Sequence, residues 1–117
     1  MTDEKPPAWV IRIAKLQTLE TADDIYREMV SEGIKGHPRR TQHCPITNYV
    51  KKDGIPPNFL VATSVYELYV KDLNHKDMWV DKIVAQHPHT QAMITFVTRF
   101  DDNCYPNIIE HVDAHND

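Results

Sequence analysis

Between the breakers Pro56-Pro57 and a polar run that starts at Lys71 lies Asn58 to Val70, a stretch dense in β-branched and aromatic residues. Such side chains crowd the turns of a helix but suit a pleated surface, so this segment calls for β-structure in a chain that otherwise reads as helical. It is long for a single strand. The segment therefore predicts two short antiparallel strands meeting near Thr63-Ser64, or one strand bulged at that point. After the polar loop Lys71 to Asp77, Met78 to Val84 offers a third strand.

The remaining hydrophobic residues follow helical spacing. Pro6-Pro7 can open a helix over Ala8 to Leu16. The alternation Trp9, Ile11, Ile13 fits a strand almost as well, but Trp9, Ile13 and Leu16 share one helical face, which favours helix. Thr21-Ala-Asp-Asp resembles a capping box ahead of Ile25, Tyr26, Met29 and Val30, and Gly33-Ile34 reads as a left-handed C-cap with a hydrophobic contact behind it. Pro88 is read as a restart of helix, with Met93, Phe96, Val97 and Phe100 on one face. Pro106 is read as the start of a last helix through Ile108, Ile109 and Val112. The predicted class is α+β, a small antiparallel sheet of two to three strands with four to five helices packed on one face. Residues 1–117 form one domain in this reading, with 1–7 and 114–117 frayed; no repeat or shift in composition divides them.

Composition bounds the function. With 41% hydrophobic and 26% charged residues among 117, the chain is too apolar for intrinsic disorder. A formal charge of −4 argues against a protein whose main task is to wrap nucleic acid, since phosphate neutralisation drives that binding. No apolar run approaches the roughly 18–20 residues a membrane helix needs, so no membrane contact is expected. The cysteines Cys44 and Cys104, with no signal-like or lipidation segment, suggest reduced thiols and a cytoplasmic location.

The most unusual chemistry lies in Thr41 to Lys52, where a thiol precedes a proline at a helix start. Pro45 suits the first helical position, which makes Cys44 the cap residue and Ile46, Tyr49 and Val50 the inner face. The block Cys44-Pro45-Ile46-Thr47-Asn48-Tyr49-Val50, the step Gly33-Ile34-Lys35-Gly36, the run Phe96-Val97-Thr98-Arg99-Phe100-Asp101 and the pair Tyr105-Pro106 follow one another in order. Together they resemble a set of small proteins of actinobacteria and their bacteriophages, over about half of the chain. Thr47 stands where that set usually has alanine and Val50 where it has leucine, and the loop from Lys71 to Gln86 is longer. The resemblance implies one small domain and a bacterial or phage origin, hence the host cytoplasm, and transfers no activity.

Cys44 is the candidate reactive thiol, because a helix N-terminus favours a thiolate that solvent can reach. The adjacent His43 is a poor general base, since neighbouring side chains point apart, and no triad or oxyanion motif accompanies it. A buried, packing cysteine is the better reading. Of seven histidines, His111 and His115 have a spacing that can face one metal ion, and Cys44 and Cys104 could add thiolates, but the gaps match no zinc motif. Scattered surface histidines are expected, with no metal and no cofactor. The carboxylates Asp101, Asp102, Glu110, Asp113 and Asp117 bunch near the end of the chain, in places that are usually solvated.

The basic residues Lys35, Arg39, Arg40, Lys51 and Lys52 flank the Cys-Pro step, and Arg39, Arg40, Lys51 and Lys52 are the candidate binding residues. A helix-turn-helix fails on geometry, because Gly33 to Cys44 is far longer than its three- or four-residue turn. With no phosphate loop, nucleotide fingerprint or triad spacing present, the leading expectation is a small non-enzymatic protein acting through protein–protein contact. Its contact surface would be the sheet edge and the insertion Lys71 to Gln86. The alternatives are a nucleic-acid-associated regulator using loop 35–40 and helix 45–52, and a thiol enzyme or redox protein built on Cys44. The partner is an unidentified protein, with nucleic acid and a second copy of the chain as further candidates.

Overall fold

A computed structural model describes residues 6–73 and 82–110. Over them the chain runs α1 (Ala8–Thr18), α2 (Ala22–Ser31), α3 (Pro45–Lys51), β1 (Phe59–Thr63), β2 (Glu67–Asp72), β3 (Lys82–Pro88), α4 (Gln91–Asp101) and a 3-10 turn at Pro106–Ile108. This is the α+β arrangement expected, with helices on one face of a three-stranded antiparallel sheet ordered β1-β2-β3.

The caps follow from local chemistry. Thr21 accepts a hydrogen bond from the Asp24 N–H at 3.0 Å, which satisfies one of the donors a helix start leaves free. At the other end of α2, Gly33 takes φ +70° and the Ile34 N–H reaches back to the Met29 carbonyl at 2.9 Å. The same closure ends α4, where Asn103 has φ +63° and the Cys104 N–H bonds the Arg99 carbonyl. Residues 8–16 are helix. Trp9, Ile13 and Leu16 are buried on their shared face, and Arg12 is buried with them.

The β-rich segment divides as its length demands. β1 and β2 pair with Val61 opposite Val70 and Thr63 opposite Leu68, joined by a turn in which Ser64 bonds the backbone of Glu67. Alternation puts Val61, Thr63, Leu68 and Val70 toward the helices, where all four are buried. Leu60 and Tyr69 lie on the opposite face with Ile83, which is 51% exposed. A register shift between Val70 and Lys71 interrupts the pairing with β3.

Two expectations are corrected. Pro88 does not open a helix: it closes β3, where a missing N–H is tolerated, and Thr90 caps α4 by accepting from the Met93 N–H. Pro106 opens a single 3-10 turn rather than a helix, because Ile109 is extended and bridges Gly36. The third strand runs on to Pro88 rather than ending at Val84, and Met78 to Asp81 fall outside the described residues, as do Val112 and the carboxylates Asp113 and Asp117. The core gathers all four helices, the sheet and Tyr105, with Tyr26, Tyr105 and Phe96 stacked face to face.

Candidate functional site

The loop from Lys35 to Cys44 is held in one shape by backbone bonds from three directions. Its base is Gly36, whose N–H donates to the Ile108 carbonyl and whose own carbonyl accepts from the Glu110 N–H. A side chain has no room there: a Cβ would meet the His43 carbonyl and come within 2.7 Å of Pro45 Cδ. The loop then folds on itself, with His37 N–H on the His43 carbonyl at 2.8 Å and His43 N–H on the Arg40 carbonyl at 3.0 Å.

Arg39 takes φ +62°, a conformation a long L side chain adopts at a cost, and its N–H donates to Asp101 Oδ1 at 2.8 Å. Thr41 ties the far side of the loop to the sheet. Its carbonyl accepts from the Thr63 N–H at 2.9 Å and from the Thr47 hydroxyl at 2.8 Å, and the Thr47 and Thr63 hydroxyls meet at 2.7 Å.

These bonds leave Arg39 and Arg40 exposed above a cleft of about 230 Å³. Thr41 and Asp101 share its rim, the end of β1 and the turn after it supply Thr63, Ser64 and Val65, and Cys44 and Val97 line its interior. Among the described residues neither guanidinium has an ion pair. Arg39 and Arg40 also border a second hollow with Thr41, Gln42 and His43.

Cys44 is the cap residue of α3, as the proline after it implied, with no side-chain capping bond. The thiol is 4% exposed, and burial pushes its pKa up to about 12. The Ile46 and Thr47 N–H groups oppose that rise and the Asp101 charge adds to it. It stays protonated at neutral pH. His43 makes its ring contact with His37, edge-on at 5.8 Å, and His37 Nε2 lies 3.7 Å from Glu110 Oε1. Cys44 and Cys104 are both free thiols, one buried and the other exposed.

The four expected binding residues divide. Arg39 and Arg40 stand together at the cleft, whereas Lys51 and Lys52 lie at the C-terminal end of α3, away from Cys44. Lys52 Nζ is engaged by Glu32, at 2.9 Å from its carbonyl and 3.3 Å from Oε1. His75, His111, His115 and Trp79 lie outside the described residues. Among the described residues no group of three or more histidine, cysteine, aspartate or glutamate side chains is placed to hold a metal ion.

Lys52 belongs to a network that the sequence did not announce. The Arg12 guanidinium bonds Glu32, Asp53 Oδ2 at 3.0 Å and the Tyr49 carbonyl, and lies 3.9 Å over the Tyr49 ring. The Tyr49 hydroxyl donates to Glu28 Oε2 at 2.7 Å, and Lys15 Nζ is 3.4 Å from the same oxygen. Burial alone would lower the Arg12 pKa, but the hydrogen bond and charge of Glu32, with Tyr49 and Asp53, raise it overall. The hydrogen bond from Arg12 in turn lowers the Glu32 pKa against its partial burial. The available signal was spacing, since Arg12 lies three residues after Trp9 and four before Leu16 on the inward face. Asp101, the anchor of the arginine loop, had no comparable signal.

A larger hollow of about 560 Å³ lies between Pro7, Trp9, Ile55, Pro56, Phe59 and Val84. Its one charged group, Asp53, is already committed to Arg12. Comparison with protein-family models, with curated proteins and with solved structures finds no match to this chain.

Proposed function

We propose that this chain is a small non-enzymatic binding protein that works through protein–protein contact. One observation supports the reading: a loop fixed by hydrogen bonds to α4, β1 and residues 108–110 holds, over a small cleft, two guanidinium groups that have no ion pair among the described residues. Arginine on a rigid mount is characteristic of recognition surfaces, because its planar fork loses little freedom on binding. A thiol enzyme would need Cys44 accessible and ionisable, and burial works against both. The sheet edge and the insertion Lys71 to Gln86 are the expected contact surface, with exposed Ile83 on β3 and Tyr66 in the β1–β2 turn as secondary contacts. A bacterial or phage cytoplasm, the setting implied by the sequence resemblance, belongs to the same proposal.

The test is affinity capture with quantitative mass spectrometry, using a tagged chain in the organism that encodes it. The expected result is one protein recovered in near-stoichiometric amount. Recovery of no such protein overturns the reading.

The nucleic-acid reading has one observation in its favour, the exposed Arg39 and Arg40. It predicts retention on DNA or RNA that weakens steeply with salt and with loss of both arginines. The absence of any shift at low salt ends it.

A further inference from the structure

The cleft beneath the arginine loop has two unlike halves. Its rim holds two guanidinium groups against one carboxylate, so its local charge is positive on a chain whose formal charge is −4. Its interior is mostly apolar, with Val65, Val97 and Cys44 beside Thr63 and Ser64. At about 230 Å³ it is smaller than the roughly 300–1,000 Å³ of a typical cofactor or metabolite pocket, and it suits a single side chain.

We infer that the cleft binds a short acidic peptide segment of a partner protein, its carboxylates on Arg39 and Arg40 and one apolar side chain between Val65 and Val97. This inference rests on the protein-contact reading and names the chemistry of the partner. Charge complementarity selects the occupant. Guanidinium groups match carboxylates two bonds at a time, and these two have no competing ion pair among the described residues. A nucleic acid strand fits less well for three reasons. Asp101 puts a negative charge at the same rim, Lys51 and Lys52 do not extend the basic surface toward it, and among the described residues no aromatic ring lines the cleft for a base to stack on.

Asp101 acts through Arg39 and is a positioning residue. By accepting the Arg39 N–H it holds the backbone at φ +62°, and its charge keeps the two guanidinium groups from repelling each other unopposed. Thr47 and Thr63 set the other side of the loop in the same way through Thr41.

The experiment is a binding titration followed by fluorescence anisotropy. Three labelled peptides are compared: one with leucine flanked by glutamates, the same peptide with glutamines for glutamates, and the same peptide with glycine for leucine. A labelled oligothymidine is the fourth probe. The acidic leucine peptide should bind; each of the two altered peptides should bind at least about tenfold more weakly, as expected for loss of charge-assisted hydrogen bonds or of a buried apolar anchor. Oligothymidine should not compete. Arg39→Glu with Arg40→Glu should abolish binding while thermal unfolding stays unchanged, since both side chains are exposed. Val65→Ala, which removes one apolar wall of the cleft and leaves the arginines and the local charge in place, should weaken binding of the leucine-bearing peptides and leave that of the glycine peptide unchanged.

No binding of the acidic peptide, equal binding of the glutamine peptide, or tighter binding of oligothymidine overturns the inference. The captured partner separates this failure from failure of the wider reading. If the Arg39→Glu, Arg40→Glu chain still captures the same protein, the contact lies elsewhere and only the cleft assignment falls.

Discussion

Cys44 and Cys104 show how position decides the chemistry of one residue type. Cys44 sits at a helix start, where the N–H groups of Ile46 and Thr47 favour a thiolate, yet removing the sulfur from water outweighs them. Cys104 lies in the turn after α4, exposed to solvent. With a maleimide at neutral pH, one thiol per chain should react quickly and map to Cys104 by peptide mass. Cys44 should react only on the timescale of unfolding, at least about a hundredfold more slowly, as a small population of open molecules implies. Fast labelling of Cys44 in the folded protein would revive the thiol-enzyme reading. The cap position was legible from Pro45. The outcome at sulfur was not, because Cys44 is buried by joining a core gathered from the whole chain, which no local pattern announces.

Among the elements, α1, α2 and α3 are joined by packing and by the guanidinium of Arg12. Its bonds run from α1 to Glu32 at the end of α2, to the Tyr49 carbonyl within α3, and to Asp53 beyond it. Replacing Arg12 with methionine keeps most of the apolar stem and takes the guanidinium from all three acceptors, leaving Glu32 to Lys52 Nζ and the Tyr49 carbonyl to the Lys52 N–H. Because Asp53 and Glu32 retain part of their water, the expected loss is about 2–3 kcal/mol, below that of a fully buried ion pair. Arg12→Lys should recover less than half of it, since an ammonium cannot reach the three acceptors with one planar fork. Urea denaturation checks both, and a methionine variant as stable as the parent would show that the network adds nothing. Elements governed by their own residues were readable: Thr21 and Gly33 bound α2, the spacing of Met93, Phe96 and Phe100 set the inner face of α4, and the length of Asn58 to Val70 forced a turn. Elements decided by distant partners were misread. Pro88 has the residue type of a helix start, but the stronger local signal was Thr90 with a free N–H three residues on, and β2 claimed the proline for a strand. Ile109 would have continued a helix had Gly36 not drawn it into an extended bridge. The arginine pair at the cleft could be read from its loop, whereas the separation of Lys51 and Lys52 from it could not, because Glu32 recruits Lys52 from another helix.

For the whole molecule, stability depends on pH through a histidine that joins the sheet to α4. The His89 N–H bonds the Tyr66 carbonyl, and Nε2 lies 3.1 Å from the Ser64 carbonyl, so the neutral ring carries its proton on Nε2. Nδ1 is buried with no hydrogen-bond partner among the described residues. Burial lowers the pKa to about 4, against the opposing pull of the Ser64 carbonyl and the Glu67 charge. In the unfolded chain the ring titrates near its ordinary value of about 6.5. Between those values the unfolded state takes up a proton that the folded state refuses, so stability falls as pH drops from 6.5 toward 4 and levels off below. The penalty is on the order of 2 kcal/mol, and His89→Gln should flatten that part of the stability curve. Thermal midpoints at pH 7 and pH 4.5 test this, and parallel losses in both chains would remove His89 from the account. A different whole-molecule consequence follows from the way the arginine loop is held. Asp101 lies 62 residues beyond the Arg39 N–H it fixes, and the bonds to Gly36 come from Ile108 and Glu110, later still. On the ribosome, Arg39 and Arg40 emerge early and wait, attached to an unshaped loop, while the sheet and α4 are made. The loop that carries Arg39 and Arg40 therefore takes its full set of bonds only after α4 and the 3-10 turn have been made, so its shape is fixed late although its residues come early.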